Sequence, residues 1–371
     1  MYTATSPARW TMLLALLVFV FSGCDSNDSS APPVDEVVVI GTQVENDFLN
    51  SGEFGLSATP LDESGTGIIS DQVKAEVSVN GPGTSAALSA KSDGGLSGQV
   101  TLQRLNDASG NPLAVVVNID GSGSMNTTDP QRLRVDGAKA FVDQLEGAGV
   151  NYEVAMATYD GETPSLNLSD TRMLLDFSND ATALKDSSDL VESSGTTPTY
   201  ESLAELLIYS EDQRPASNHE KAIVLLSDGA PNSTVLRDSV CADAQRKESP
   251  IYSIGLGPAS DLAPATDQDP SAIEEMRSVS RCSGGAYAGI DPDSAAASTD
   301  EIYRAMATGT SKGSIVFLVS FDPADLQQHF SPGDRLTGTL SLTVGGQTAG
   351  GDFSFTVPDP SASLNYQYTG E

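Results

Sequence analysis

The chain has 371 residues, of which 39% are hydrophobic, so it is long enough for two or three domains with ordinary cores. It carries 51 acidic and 19 basic residues, a formal net charge of −32, and such a surface repels nucleic acid and anionic lipid, which argues against a nucleic-acid partner. The acidic residues are spread along the chain rather than gathered in one block, which excludes a disordered acidic tail. We interpret the charge as an adaptation to a high-salt, halophilic setting, because the screening length in molar salt is only about 3 Å.

An export signal is predicted at the N-terminus. The apolar run from Met12 to Phe21 is too short to span a bilayer and is typical of the core of a signal peptide. The next residues resemble a bacterial lipobox, in which small residues allow cleavage and the cysteine thiol takes the lipid: Phe21-Ser22-Gly23-Cys24. We therefore predict a signal peptide over residues 1–23, lipidation at Cys24 and a Ser/Asp/Pro-rich tether over residues 24–36. The alternative is ordinary secretion, with Cys24 removed or idle.

Residues 37–105 are predicted to form a small β-sandwich of the immunoglobulin type. Short apolar runs are separated by turn signals such as Asn80-Gly81-Pro82-Gly83, and the run Lys74–Val79 alternates apolar and polar residues. The predicted strands are Val37–Ile40, Phe54–Thr59, Val73–Val79, Ala86–Ser89 and Gly98–Leu102.

Residues 112–310 alternate predicted strands with predicted helices, which is the pattern of a doubly wound, mostly parallel α/β sheet. The predicted strands are Leu113–Ile119, Tyr152–Tyr159, Arg172–Phe177, Ala222–Ser227, Ile251–Gly255 and Gly285–Ala288. The predicted helices are Leu133–Leu145, Ala181–Val191, Tyr200–Tyr209, Val235–Glu248, Ile273–Arg281 and Thr299–Thr308.

A polar loop follows the first of these strands without a break. In Asp120-Gly121-Ser122-Gly123-Ser124, one carboxylate and two hydroxyls stand at alternate positions. These are hard oxygen donors, which suit Mg²⁺, Ca²⁺ or Mn²⁺ rather than a soft metal. The intervening glycines allow the loop to fold tightly. Ligands of open α/β sheets bind beyond the carboxyl ends of the strands, where this loop is expected to lie.

Two further segments present oxygen donors at similar places. The loop Gly195–Tyr200 contains three threonines and opens a helical pattern. The apolar run Lys221–Ser227 predicts a second buried strand, and it ends in Asp228-Gly229. Two strand ends and one helix-opening loop therefore offer oxygen ligands together.

The motif Asp120/Ser122/Ser124, together with Thr197 and Asp228, resembles the metal-ion-dependent adhesion site of a von Willebrand factor type A domain. The resemblance covers about residues 112–310. It implies that the two serine hydroxyls bind the ion directly and that the two aspartates hold it mostly through water. It also implies that Thr197 binds directly or through water, depending on the conformational state.

Thr196 and Thr199 remain alternatives to Thr197 as the threonine ligand. The resemblance has three further implications. A partner protein completes the coordination of the ion with a Glu or Asp side chain. The short strand Arg172–Phe177 is the antiparallel edge strand of the sheet. The last helix, Thr299–Thr308, is one that can shift when the coordination changes.

Two cysteines lie within the predicted α/β region. Cys241 falls in one helical pattern and Cys282 ends another. Because the chain is predicted to be exported, we expect a disulfide between neighbouring helices, with two separate buried thiols as the alternative. The chain contains no Cys-x-x-Cys motif, so zinc is not indicated.

Three strands are predicted after the α/β region, within residues 313–358. They are Ser314–Phe321, Arg335–Val344 and Gly351–Val357. Three strands alone make a marginal sheet, so we expect them to complete the N-terminal sandwich, with the α/β domain inserted between. The C-terminal segment, residues 359–371, has no predicted structure.

The predicted function is a non-enzymatic, lipid-anchored protein-binding module of the cell envelope, periplasmic or surface-facing, that depends on a divalent cation. The two histidines, His219 and His329, do not form a nucleophile-elbow pattern with a serine. The alternative is a structural subunit of an envelope or pilus-like assembly with a static metal site. A metal-dependent hydrolase would need a base near the ion, for which Asp160 and Glu162 are the candidates.

Overall fold

A computed structural model describes residues 31–82, 88–93, 98–106, 110–161, 168–229 and 231–360. The predicted signal peptide, Cys24, the first part of the tether, Glu162 and nearly all of the tail lie outside the described residues. At the other end of the predicted tether, Val34 is buried in a hydrophobic core and its N–H donates to the carbonyl of Val344. The packed part of the chain therefore begins before residue 37.

Among the described residues, fourteen strands belong to one continuous sheet. The strands are β1 (Glu36–Val44), β2 (Glu53–Leu61), β3 (Lys74–Asn80), β4 (Leu88–Lys91), β5 (Gly98–Asn106), β6 (Leu113–Asp120), β7 (Tyr152–Tyr159), β8 (Thr171–Ser178), β9 (Glu220–Ser227), β10 (Ile251–Gly255), β11 (Tyr287–Gly289), β12 (Ser314–Phe321), β13 (Arg335–Val344) and β14 (Gln347–Thr356). The helices are α1 (Phe48–Ser51), α2 (Met125–Thr128), α3 (Leu133–Gly147), α4 (Ala181–Ser188), α5 (Thr199–Gln213), α6 (Arg237–Arg246), α7 (Pro270–Ser283), α8 (Ala295–Lys312) and α9 (Pro323–His329).

The α/β region has the predicted doubly wound, mostly parallel sheet. Strands β11, β10, β9, β6 and β7 lie side by side in that order, and each neighbouring pair is parallel. β8 pairs antiparallel with β7 at the end of the sheet, which confirms the predicted edge strand.

Helices cover both faces of this sheet. Val115 and Val117 of β6 belong to a hydrophobic cluster with residues of α3, α4 and α8, whereas Val116 belongs to another with residues of α5, α6 and α7. Successive side chains of a strand point to opposite faces, so a strand covered on both sides has a continuous apolar sequence. This burial explains why β6 contains almost no polar residue before its end.

The strands of the two chain ends pair with one another. β12 lies between β2 and β5, and β13 pairs with β3 as well as with β14. Residues from both ends share a single hydrophobic cluster that includes Phe54, Val77, Phe317 and Phe355. The N-terminal strands β2, β3 and β5 therefore each have a C-terminal strand as one sheet neighbour. An immunoglobulin-like sandwich, with the α/β region as an insertion, remains our prediction for this part.

Three short helices, α1, α2 and α9, were not predicted. They have four, four and seven residues, and so few residues cannot display a helical period. The longer helices were predicted, although α8 extends beyond the predicted Thr299–Thr308 at both ends. Searched within the described residues, the helices include none that combines the length and apolar character needed to cross a membrane.

A disulfide joins two neighbouring helices of the α/β region. It links Cys241 of α6 to Cys282 of α7. Close to it, the side-chain amide of Gln245 donates to the carbonyl of Cys282 at 2.5 Å. The two helices are thus joined both covalently and by a hydrogen bond on one face of the sheet.

Gly137 of α3 packs against Tyr303 and Thr299 of α8, and we expect Gly137→Ala to be destabilising. An added Cβ would lie 2.4 Å from Cε2 of Tyr303 and 2.7 Å from Cγ2 of Thr299. We expect a loss of about 1–3 kcal/mol in the free energy of unfolding, measured by urea denaturation. The control is Gly147→Ala in the same helix, where a Cβ meets nothing within 4 Å. Equal stability of the two variants would contradict this prediction.

Candidate metal centre

The candidate centre lies at the carboxyl edge of the parallel sheet. Asp120 is the last residue of β6, and Asp228 follows β9 directly. The two strands are neighbours, with Ile119 opposite Leu226 in the register. The carboxyl ends of parallel strands meet at one edge, so the fold brings the two aspartates together from positions more than 100 residues apart in the chain. Both side chains are buried, with 0% and 1% of their surface exposed.

A chain of hydrogen bonds connects the predicted oxygen donors. Ser124 Oγ donates to Asp228 Oδ1 at 2.8 Å, and Ser122 Oγ lies 3.0 Å from Ser124 Oγ. Because a hydroxyl has only one proton, Ser122 is the donor to Ser124 in this arrangement. Asp120 Oδ1 accepts from the backbone N–H of Ser122 at 2.8 Å. Four of the five predicted ligands therefore form one connected cluster.

The loop of Thr197 contacts both strand-end loops through its backbone. Ser194 N donates to the carbonyl of Gly121 at 2.8 Å, and the carbonyl of Thr197 accepts from Asn232 N at 2.9 Å. Of the two alternatives, Thr196 directs its hydroxyl to the carbonyl of Asp160 at 3.4 Å, and Thr199 is buried. The structure thus places the threonine loop beside the cluster, and Thr197 remains the predicted threonine ligand.

The sequence of the α/β region matches a known protein family. The family model for the von Willebrand factor type A domain matches residues 114–305. The chain belongs to this family. No curated protein matches the chain.

The solved structures to which the chain is similar include three bacterial proteins. The von Willebrand factor domain of the type V pilus tip protein of Porphyromonas gingivalis is 15% identical, with a TM-score of 0.41, and the match covers 54% of this chain and 96% of that one. A von Willebrand factor type A protein from Catenulispora acidiphila is 14% identical, with a TM-score of 0.42, over 89% of this chain and 74% of that one. A pilus adhesin of Lactobacillus rhamnosus GG in its open conformation is 11% identical, with a TM-score of 0.43, over 86% of this chain and 46% of that one.

Two residues of this type A domain contribute to the centre without having been predicted from the sequence. Thr128 of α2 donates its hydroxyl proton to Asp228 Oδ2, and Ser227 Oγ donates to Asp120 Oδ2 at 2.6 Å. Ser227 could have been found, because a hydroxyl next to an aspartate at a strand end is itself a polar signal. Thr128 could not have been found, because it lies in a helix of a single turn, which is too short to show a helical pattern in the sequence.

Burial dominates the electrostatics of the centre. Burial, and to a lesser extent the nearby charge of Asp228, raises the pKa of Asp120 to about 6, and hydrogen bonds from Ser122 and Ser227 oppose the rise. Two carboxylates held together away from water repel each other, so the negative form of this site is unfavourable without a compensating positive charge.

The donor set fits a hard divalent cation. It contains two carboxylates and several hydroxyls. Metal sites made of three or more His, Cys, Asp or Glu side chains are a different type, and the described residues contain none of that type. Oxygen ligands of this kind suit Mg²⁺, Ca²⁺ or Mn²⁺. So few charged protein ligands also leave coordination positions for water and for a group from outside.

Neither histidine lies at the centre. His219 stands just before β9, at the end of that strand opposite Asp228, and an eight-residue strand is about 26 Å long. His329 is the last residue of α9, in the region formed by the two chain ends. Asp160 follows β7 at the same edge as Asp120 and is buried. The other candidate base, Glu162, lies outside the described residues.

Proposed function

We propose that this type A domain binds a divalent cation, Mg²⁺ or else Ca²⁺ or Mn²⁺, and uses it to hold an acidic side chain of a partner protein. The observation that carries the proposal is the connected cluster of Asp120, Ser122, Ser124 and Asp228 at the carboxyl edge of the sheet. Ser122 and Ser124 would bind the ion through their hydroxyls, and the two aspartates mostly through water. Thr197 would be the fifth ligand.

The electrostatics of the cluster support a cation. Asp120 and Asp228 are both buried, and the charge of Asp228 raises the cost of ionising Asp120. When bound, a divalent cation would neutralise both carboxylates and supply a Lewis-acidic position for an external carboxylate. The serine hydroxyls direct their protons along the chain of hydrogen bonds towards Asp228, which leaves oxygen lone pairs free to bind a cation.

We also propose export and lipid anchoring at Cys24. The proposal is supported by the short apolar run and the lipobox-like residues that follow it. The disulfide between Cys241 and Cys282 is of a kind that forms in oxidising compartments outside the cytoplasm. The protein would then present its binding site at the cell envelope, and no catalytic step is part of the proposal.

Calorimetric titration of Mg²⁺, Ca²⁺ and Mn²⁺ into metal-free protein in high salt tests the cation site. We expect saturable binding to the wild type and a loss of at least about tenfold in affinity for Asp228→Asn, because one of two buried carboxylates becomes neutral. The control is Asp238→Asn, which removes the same charge from a fully exposed side chain at the start of α6. Absence of saturable binding to the wild type, or equal binding by both variants, would overturn the proposal.

A further inference from the structure

A groove lies beside the candidate metal centre. It has a volume of about 350 Å³ and is lined by residues of α2, the start of α3 and the loop after α4. The lining segments adjoin the metal centre in the chain, because α2 directly follows Ser124 and Ser193 directly precedes the loop of Thr197. Asn126 joins them, because its side-chain amide donates to the carbonyl of Gly123 at 3.3 Å and to that of Ser193 at 3.0 Å. A partner bound at the metal centre would therefore be able to contact this groove as well.

A buried arginine lines the groove. Arg134 is 1% exposed, and its Nη1 contacts Asp129 Oδ2 at 2.7 Å while its Nη2 donates to Ser193 Oγ at 2.6 Å. Its Nε–H has no hydrogen-bond acceptor in the described part of the chain. A buried donor without an acceptor is unfavourable, and because Arg134 lines the groove, an acceptor that enters the groove would relieve this cost.

A second arginine, Arg132, lies at the rim of the same groove and is exposed. Its Nη2 donates to the carbonyls of Asp189 and Val191, each at 3.0 Å, which fixes the guanidinium group across the groove. No carboxylate of the described residues forms an ion pair with it, and its contacts are to neutral carbonyl groups. Within the described residues, the guanidinium group of Arg132 is therefore not paired with a carboxylate, in a chain whose net charge is −32.

We propose that this groove binds a second carboxylate of the same partner, with Arg132 as the main contact and the Nε–H of Arg134 as an additional donor. The inference rests on the proposed function, because the first carboxylate is the one that meets the cation. A guanidinium group recognises a carboxylate through parallel hydrogen bonds. A strongly acidic surface repels acidic partners, so such a partner needs local positive charges at its point of contact.

The spacing of the two sites defines the partner further. Asn126 lines the groove two positions after Ser124 of the metal centre, and two residues of extended chain span at most about 7 Å. An extended peptide covers this distance with about two residues. The partner is thus a segment with two acidic side chains about two to three positions apart.

Two synthetic peptides test the proposal in the presence of Mg²⁺. One contains two glutamates separated by two glycines, and in the other the second glutamate is a glutamine. We expect the wild type to bind the two-glutamate peptide at least about threefold more tightly, and Arg132→Asn to reduce this ratio to about one. Asparagine is chosen because Arg132 has a positive φ of 60°, which asparagine tolerates.

Two further variants make this result specific. Arg246→Asn removes the same charge from an arginine of α6 whose side chain is 68% exposed, and it should keep the wild-type ratio. Glu192→Gln removes a negative charge from the groove and should increase the ratio. A ratio of about one for the wild type, or a ratio unchanged in Arg132→Asn, would overturn the second carboxylate site.

A metal-free experiment separates this inference from the proposed function. Acetate is titrated in the presence of a chelator, and the Nε–H resonances of Arg132 and Arg134 are followed by NMR, with sodium chloride at matched ionic strength as the reference. Saturable shifts that sodium chloride does not cause support the groove site even if no cation binds at the centre. If Mg²⁺ binds and these resonances do not respond to acetate, the proposed function stands and the groove site is overturned.

Discussion

Asp129→Asn should lower the free energy of unfolding by about 3–5 kcal/mol, because it leaves a buried arginine without its counter-ion. The side chains of Arg134 and Asp129 are 2% and 0% exposed and form an ion pair of 2.7 Å. Asp129 Oδ1 also accepts from the N–H of Leu133 at 2.7 Å, at the start of α3. An asparagine can keep the bond to Leu133, but its amide group would face the guanidinium group of Arg134 with two donors opposed.

Urea denaturation followed by far-ultraviolet circular dichroism measures this loss, since the single tryptophan, Trp10, lies in the predicted signal peptide. The control is Asp189→Asn, which breaks a pair with Lys139 whose side chains are 53% and 29% exposed and which should cost less than about 1 kcal/mol. Adding Arg134→Met to Asp129→Asn should recover part of the stability, because no buried charge is then left unpaired. A loss below 1 kcal/mol in Asp129→Asn would contradict the buried ion pair.

Asp120→Asn should raise the stability of the metal-free protein at pH 7 by about 2–3 kcal/mol. Burial and the charge of Asp228 raise the pKa of Asp120 from 3.8 to about 6. The folded state therefore binds the proton more tightly than the unfolded state. Stability falls as the pH rises from about 4 to about 6, and it stays lower at pH 7. Asparagine removes this loss, and Ser227 can turn its hydroxyl to accept from the new amide group.

Unfolding free energies at pH 4 and pH 7, in the presence of a chelator, measure the effect. The wild type should lose stability between the two pH values, and Asp120→Asn should lose about 2–3 kcal/mol less. Added Mg²⁺ at about 100 times its dissociation constant should stabilise the wild type by about 2.7 kcal/mol and the variant much less. Asp186→Asn, an exposed aspartate of α4, serves as the control for a change in charge. A variant with the same pH dependence as the wild type would refute the assignment of the raised pKa to Asp120.

The α/β region was predictable because its signals are local. A strand that is covered on both faces needs an unbroken apolar run, and the predicted Tyr152–Tyr159 and Ile251–Gly255 have the bounds that are observed for β7 and β10. The oxygen donors at the ends of β6 and β9 were recognised because their signal is also local. These carboxylates and hydroxyls end an apolar run at the position where ligands bind in this fold class.

Other features of the site depend on contacts between distant segments. Thr128 reaches Asp228 across 100 positions of the chain, and Arg134 reaches Ser193 across 59. The groove exists only because the loop after α4 packs against the start of α3. None of these residues breaks a local pattern, so each has the same appearance in the sequence as a surface residue.

The sequence by itself determined the order of strands and helices in the α/β region and the oxygen donors at two strand ends, because both follow from burial and from the geometry of parallel strands. Only the tertiary structure decided that β12 lies between β2 and β5 and that β13 pairs with β3. A strand with an alternating pattern can pair with any strand whose edge is open. Its partner is selected by the three-dimensional arrangement of the remaining chain, which no local pattern contains.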